Sequence, residues 1–236
     1  MTRCDDAALA AEYRDAYYAA ADDPRIAAWA AAHASVWDAL ADQLLRLSPA
    51  AQRVLDVGAG SGGFLLRLRA RQPGLQLAAV EASPAARAAL QQRVPGVLFV
   101  ADRAEQLVQC SDGSFDAVTM LQTLEHLRDP LAACRGALRC LRPGGWLLVT
   151  VPNRRAVQVW LRGRRAGCWA NGTHLQFFDR RSLGRLLRTA GFTAVRRLVT
   201  FGGGQHRGLL PRTLQYALRA LGVSTELRVA ARRPTA

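Results

Sequence analysis

The stretch from Val54 to Leu68, VLDVGAGSGGFLLRL, constrains the fold more than any other part of the chain. An apolar run enters four glycines and continues as a helix-like run, which is the layout of a strand–turn–helix unit. Gly58, Gly60 and Gly63 match the spacing G-x-G-x-x-G, in which missing side chains let the backbone approach a ligand closely. Because this spacing is a weak signal by itself, it leaves open a nicotinamide dinucleotide, a nucleoside triphosphate or another adenosine-containing cofactor.

The alternation of strands and helices continues along the chain, and it predicts an α/β protein with a mostly parallel sheet. The first fifty residues are predicted to be helical, with Asp23-Pro24 beginning a second helix and Ser48-Pro49 ending it. Ser83-Pro84 and Asp129-Pro130 are predicted helix starts, and Gly191 ends another helix. Strands are predicted at 53–58, 75–82, 96–102, 115–121, 146–153, 193–201 and 224–232, the fifth buried on both faces.

The absence of lysine excludes several kinds of enzyme. The net charge is +14, yet the chain contains no lysine, so every basic side chain apart from histidine is an arginine. A P-loop, a protein kinase, pyridoxal-phosphate chemistry and the Tyr-x-x-x-Lys pair of short-chain dehydrogenases all need a lysine. The arginines are scattered apart from RGRR at 162–165, and their abundance together with alanine indicates GC-rich codons. Nucleic-acid binding is therefore the less favoured interpretation.

The remaining bulk features favour a cytoplasmic protein. The acidic N-terminus lacks the layout of a signal peptide, and no apolar run approaches the roughly 20 residues of a membrane span. The five cysteines are scattered without a C-x-x-C pair, which argues against a disulfide framework or a zinc site. We expect no bound metal, and either a monomer or a homodimer.

Carboxylates stand at the ends of three consecutive predicted strands: Asp56, Glu81 and Asp102. Ligands of open α/β sheets bind at these carboxyl ends, where the strand order reverses. Three carboxylates would repel a polyphosphate, but they suit a ligand rich in hydroxyl and amine donors. Glu81 is suited to two ribose hydroxyls and Asp102 to an exocyclic amine, which favours S-adenosylmethionine over NAD.

From about Val54 to Val199, the chain resembles the class I S-adenosylmethionine-dependent methyltransferases, in the branch that includes the ubiquinone-biosynthesis O-methyltransferases. The motifs that carry the resemblance occur in the family's order: VLDVGAGSG, VEAS, VADRAEQL, SFDAVTMLQTLEHLRDP, LRPGGWLLVTVPN and THLQFFDRRSLGRLLRTAGF. The resemblance implies a Rossmann-like sheet of order 3-2-1-4-5-7-6 with strand 7 antiparallel and helices on both faces. It also implies a helical cap over 1–50, a methyltransferase domain over 51–236 and an irregular lid near 154–178.

The resemblance further implies which of the matching positions contacts each part of the cofactor. Gly58, Ala59 and Gly60 would contact the methionine part, supported by Asp56. Glu81 and Ala82 would hold the ribose. Asp102 and Arg103 would hold the adenine, and Leu121 and Gln122 would line the sulfonium side.

Methyl transfer to a hydroxyl needs positioning and a base, and His126 is the first candidate for that base. His174 is the second, near the substrate entrance. Glu125 would orient His126 or join it as a metal ligand, and the adjacent Glu-His pair is only weak support for a metal. We expect O-methylation of a small molecule, beneath a lid that includes Trp160 and Trp169. The alternatives are a methyltransferase for RNA or protein, a dinucleotide-dependent oxidoreductase and a non-catalytic relative.

Overall fold

The computed structural model describes residues 24–165, 169, 171–198 and 224–235. Within these residues, seven strands form one sheet in the order 3-2-1-4-5-7-6. The strands are β1 (Arg53–Val57), β2 (Gln76–Val80), β3 (Leu98–Ala101), β4 (Phe115–Leu121), β5 (Leu141–Pro152), β6 (Thr193–Arg197) and β7 (Glu226–Arg232).

Strands β1 to β5 are parallel to one another, whereas β7 runs antiparallel to both of its neighbours, β5 and β6. The order reverses between β1 and β4, so the loops that follow these two strands meet at one edge of the sheet. The fold class and strand order predicted from the sequence are confirmed.

Six α-helices of the described residues connect or cover the strands. They are α1 (Pro24–Leu47), α2 (Gly63–Arg71), α3 (Pro84–Arg93), α4 (Pro130–Cys140), α5 (Val157–Arg162) and α6 (Arg180–Ala190). The predicted caps are confirmed: the side chains of Ser83 and Asp129 accept hydrogen bonds from the first turns of α3 and α4. Gly191 ends α6 with φ of +107°, a conformation that favours glycine.

Two apolar layers lie on opposite faces of the sheet, because alternate strand residues point to opposite sides. Val54 of β1 packs with the apolar faces of α1 and α2, whereas Leu55 and Val57 pack with α4 and α6. From Trp146 to Val151, every residue of β5 is buried, as predicted for a strand covered on both faces. The carboxyl ends of the strands are thereby held in a rigid frame.

The structure differs from the sequence expectation at the turn Pro143–Gly145. This segment lies inside β5 rather than before it, and the pairing with β4 jumps from Phe115–Leu141 to Ala117–Trp146. The turn is a bulge in a continuous strand, and Gly144 takes φ of +76° there.

Two sequence predictions fall outside the described residues: the helix before Asp23 and the end of the sixth strand beyond Leu198. The predicted lid near 154–178 contains α5, a 3₁₀ turn at Gly163–Arg165 and an irregular stretch over 171–177. Trp160 on α5 is 85% exposed, whereas Trp169 stacks on Phe177 with ring centroids 4.1 Å apart. Among the described residues, no helix combines the length and apolar character that a membrane span requires.

Candidate active site

The glycine turn after β1 fits tightly against the turn that follows β4. Gly58 has φ of +76°, and a Cβ at this position would lie 2.5 Å from the Thr123 hydroxyl oxygen. Thr123 in turn donates a hydrogen bond of 2.9 Å to the Val57 carbonyl. The two loops that flank the strand-order reversal are therefore in direct contact, and only glycine suits position 58.

The backbone N–H groups of the glycine turn are used inside the protein. Gly58 and Ala59 donate to the Val80 carbonyl at 2.8 and 3.1 Å, and Gly60 donates to a Glu81 carboxylate oxygen at 2.8 Å. The turn is thus tied to the end of β2. What it offers a ligand is the exposed backbone of Gly58.

Glu81 has a structural role that the sequence did not indicate. Its second carboxylate oxygen accepts from the Ser83 N–H at 2.8 Å, and the residue is only 6% exposed. Burial raises the pKa of Glu81, although the hydrogen bonds from Ser83 and Gly60 oppose that shift. The Ala82 N–H opposes the shift as well, so most of the acceptor capacity of this carboxylate is used inside the protein.

Asp56 joins β1 to β4 and is likewise buried. Its carboxylate accepts from the Thr119 hydroxyl at 2.6 Å. Burial raises the pKa of Asp56 to about 7, the Thr119 hydrogen bond lowers it, and the nearby Glu81 raises it further. Asp56 thereby links β1 to β4 just before the glycine turn.

Asp102 and Arg103 are exposed at the end of β3, in contrast to the two buried acids. The Asp102 side chain is 70% exposed and forms an ion pair with Arg87, whose guanidinium lies over the Phe99 ring at 4.3 Å. The N–H groups of Asp102 and Arg103 both donate to the side-chain oxygen of Gln106. The β3 end therefore presents a carboxylate to solvent on an ordered backbone.

Leu121 and Gln122 follow β4 and are half-buried. Gln122 has φ of +56°, which is uncommon for a residue with a side chain. Its amide group donates to Glu226 of β7 at 2.8 Å, and its backbone N–H donates to the Thr150 carbonyl at 2.9 Å. These contacts with β5 and β7 fix the direction in which the chain leaves β4.

A 3₁₀ turn at Leu124–His126 carries two buried titratable side chains. Burial raises the pKa of Glu125 to about 8, and the Glu226 carboxylate contributes to that rise. The pKa of His126 is lowered to about 4 by burial and by His174, against a raising effect of the Thr173 hydrogen bond. At neutral pH, both side chains are therefore uncharged in this environment.

The loop over 171–176 brings His174 to this turn. The N–H groups of Leu175 and Gln176 both donate to the backbone carbonyl of Glu125, at 2.8 and 2.9 Å. The His126 and His174 rings lie 4.9 Å apart in an edge-to-face arrangement. The two histidines that the sequence separates by 48 positions thus form one cluster with Glu125, which we call the Glu-His-His cluster.

The predicted cofactor-binding residues divide into three groups by exposure. The exposed positions are Gly58, Ala82, Asp102 and Arg103; the half-buried ones are Leu121 and Gln122; the buried ones are Asp56, Ala59, Gly60 and Glu81. Sequence reasoning missed the residues that hold these positions and the two histidines: Arg87, Gln106, Thr123, Asn171, Thr173 and Glu226. Arg87, Thr123, Thr173 and Glu226 act through contacts between distant segments, which no local pattern signals. Gln106 and Asn171 instead contact residues two to four positions away.

A family model described as a methyltransferase domain matches residues 30–197. The chain belongs to this methyltransferase family. The match spans the glycine turn, the three strand-end acids and the Glu-His-His cluster, so the family resemblance and the enzyme class predicted from the motifs are confirmed.

Known relatives are also named as methyltransferases, but the alignment with the relative described below covers less than half of either chain. A ubiquinone biosynthesis O-methyltransferase of Albidiferax ferrireducens is 36% identical over 108 residues, which cover 44% of this chain and 43% of the relative. The chain spans less than half the length of that relative.

Two solved structures share the fold of this methyltransferase. A possible histamine N-methyltransferase of Thermotoga maritima has a TM-score of 0.64 at 22% identity, covering 89% of this chain and 94% of its own. A Haemonchus contortus phosphoethanolamine N-methyltransferase, solved with phosphomonomethylethanolamine and S-adenosylhomocysteine, has a TM-score of 0.57 at 19% identity, covering 83% and 53%. At such identities the likeness concerns the fold alone.

Proposed function

We propose that this methyltransferase uses S-adenosylmethionine and methylates a hydroxyl group of a small molecule. The observation that carries the proposal is the contact between Gly58 and Thr123. It joins the exposed strand ends on one side to the turn that bears the Glu-His-His cluster on the other. A donor site and an acceptor site would then meet at the reversal of strand order.

The residues present fit the proposed cofactor. Gly58 offers backbone without a side chain, Asp102 offers an exposed carboxylate for an amine, and Glu81 offers a buried carboxylate at the end of β2. When bound, the cofactor supplies a methyl group on a positively charged sulfur. Carboxylates suit that charge, and Asp102 counts against a dinucleotide, whereas Glu81 would suit the ribose of either cofactor.

Methyl transfer to oxygen forms a C–O bond, breaks a C–S bond and releases the hydroxyl proton of the acceptor. We assign the acceptor side to the Glu-His-His cluster, with His126 as the first candidate for the base and His174 as the second. His126 is uncharged at neutral pH, as a base must be, but its lowered pKa reduces its basicity. The relatives named as O-methyltransferases support oxygen as the acceptor atom.

The test of the cofactor is calorimetric titration with S-adenosylhomocysteine and, separately, with NAD. The variant Asp102→Ala removes an exposed carboxylate without opening a cavity. Asp112→Ala is the matched control, since its side chain is 71% exposed and also pairs with an arginine, Arg139, at 2.9 Å. Asp112 precedes β4 and so lies toward the opposite edge of the sheet.

We expect S-adenosylhomocysteine to bind, NAD to fail, and Asp102→Ala to weaken binding about tenfold or more, which corresponds to about 1.4 kcal/mol. Asp112→Ala should change the affinity less than about twofold. Binding of NAD alone, or equal effects of the two variants, would contradict the assignment. Product analysis with hydroxyl, amine and RNA acceptors then tests the choice of oxygen, and strong salt-sensitive RNA binding would favour the RNA alternative.

A further inference from the structure

The antiparallel direction of β7 brings its first residue to the edge of the sheet where β4 and β5 end. Glu226 begins β7 and is paired with Pro152, the last residue of β5. Ligands of open α/β sheets are expected at the carboxyl ends of the parallel strands, so a search of those ends alone passes over Glu226. The edge that bears the candidate site thus includes a carboxylate from the amino end of an antiparallel strand.

The Glu226 carboxylate is shared between two partners. Its Oε1 accepts from Nε2 of Gln122 at 2.8 Å, and its Oε2 accepts from Nε of Arg228 at 2.6 Å. The side chain of Arg228 is only 4% exposed, and that of Glu226 is 20% exposed. Because a buried guanidinium is costly without its counter-ion, the ion pair fixes where the carboxylate lies. One of its oxygens is therefore presented to Gln122 at a fixed position.

The side chain of Gln122 is turned into the protein by this contact. Since a carboxylate accepts hydrogen bonds, the group that faces Glu226 is the amide nitrogen, which also lies 3.3 Å from the Thr150 hydroxyl oxygen. The backbone N–H of Gln122 donates to the Thr150 carbonyl at 2.9 Å. The amide group thus anchors Gln122 between β5 and β7.

The backbone of Gln122 takes a conformation that is unfavourable for a residue with a Cβ. Its φ of +56° lies in the left-handed region. Thr123, the next residue, lies against Gly58 and donates to the Val57 carbonyl, so the strained residue adjoins the glycine turn. Among the described residues, none donates a hydrogen bond to the Gln122 carbonyl, and this oxygen is therefore available to a ligand donor.

We propose that Glu226 is a positioning residue for methyl transfer, which holds Gln122 in its left-handed conformation and so fixes the backbone beside the methyl donor. The identity of that donor rests on the proposed function. S-adenosylmethionine and S-adenosylhomocysteine both carry an ammonium group, a donor that a backbone carbonyl accepts. Glu226 acts through Gln122, so its effect on the ligand is indirect.

The experiment exchanges the two partners and measures S-adenosylhomocysteine binding by calorimetry. Gln122→Glu keeps the length of the side chain but sets a second carboxylate against that of Glu226. Adding Glu226→Gln restores both hydrogen bonds, because the new amide donates through its nitrogen to the carboxylate at position 122 and accepts from Arg228 through its oxygen. The exchanged pair therefore recovers the contact that Gln122→Glu loses.

Gln72→Glu is the matched control for this substitution. The Gln72 amide also donates, at 2.9 Å, to the carbonyl of Ala51, which precedes β1 and so lies toward the opposite edge of the sheet. This variant should lower the midpoint of urea unfolding but change the affinity for S-adenosylhomocysteine less than about twofold. A contact that served only the stability of the fold would behave in the same way.

We expect Gln122→Glu to weaken S-adenosylhomocysteine binding about tenfold or more, and the exchanged pair to bind within about threefold of the wild type. Unchanged affinity of Gln122→Glu, or no recovery in the exchanged pair, would overturn the positioning role. Failure of the wild type to bind would overturn the proposed function and the positioning role together. Binding by the wild type that no variant alters would overturn the positioning role alone.

A second pair of variants decides the matter if Gln122→Glu does not fold, as circular dichroism would show. Gln122→Gly loses the anchor but adopts the left-handed conformation without strain, whereas Gln122→Ala loses the anchor and keeps the strain. Gln122→Gly should therefore bind S-adenosylhomocysteine more tightly than Gln122→Ala. Equal affinities of these two variants would mean that the conformation of residue 122 does not matter for the ligand, and the proposal would fail.

Discussion

Replacement of Gly58 by alanine tests whether the contact between the two loops holds the candidate site together. The added Cβ would lie 2.5 Å from the Oγ1 and 2.9 Å from the Cγ2 of Thr123. A side chain at φ of +76° costs roughly 1–2 kcal/mol, and overpacking of a tight contact costs about 1–3 kcal/mol. We expect Gly58→Ala to lower the free energy of unfolding by roughly 2–5 kcal/mol.

The assay is urea unfolding, with Gly74→Ala as the matched control. A Cβ at Gly74 would meet nothing within 4 Å, so this variant should change stability by less than about 0.5 kcal/mol. The double variant Gly58→Ala, Thr123→Ala separates the two contributions. It removes the overlapping atoms and should recover about 1 kcal/mol or more relative to additivity, while the backbone cost remains.

Since the added methyl group points at Thr123, its effect on S-adenosylhomocysteine binding would come through displacement of the glycine turn. The reasoning fails if Gly58→Ala is as harmless as Gly74→Ala, or if the double variant shows no coupling. Either result would mean that the two loops move apart at little cost and do not form one rigid site.

Two further predictions concern buried acids. The pKa of Asp56 is raised to about 7 in the folded chain, so the unfolded state ionises first as the pH rises from about 4. Stability should therefore fall between pH 4 and 7, by up to about 1.4 kcal/mol per pH unit from this group, and urea unfolding of Asp56→Asn should show a smaller slope. Asp179 caps α6 by accepting from the Ser182 N–H at 2.8 Å. Asp179→Ala should lower the free energy of unfolding by about 0.5–2 kcal/mol through loss of the cap, in addition to loss of the ion pair with Arg154. Asp179→Asn loses the ion pair but keeps a capping side chain, so it should cost less, and equal losses would contradict a capping role.

Much of the fold was predictable because the signals are local. Strands alternate with capped helices, and Ser83, Asp129 and Gly191 mark helix ends through contacts with residues only three or four positions away. The burial of β5 on both faces follows from its run of apolar residues. The bulge at Pro143–Gly145 was not predictable as part of a strand, since it depends on how β5 pairs with β4.

The candidate site was predictable only as a set of positions. The sequence by itself determined which residues stand at the strand ends, because the order of strands and turns along the chain dictates it. Only the tertiary structure decided which contacts those residues make. Glu81 accepts from Gly60, Gln122 contacts Glu226, and the Glu125 carboxylate is buried without a hydrogen-bond partner among the described residues. The Glu-His-His cluster exists because the 171–176 loop docks on the turn after β4 through backbone hydrogen bonds. Such bonds carry no side-chain signature, so no pattern in the sequence reveals them.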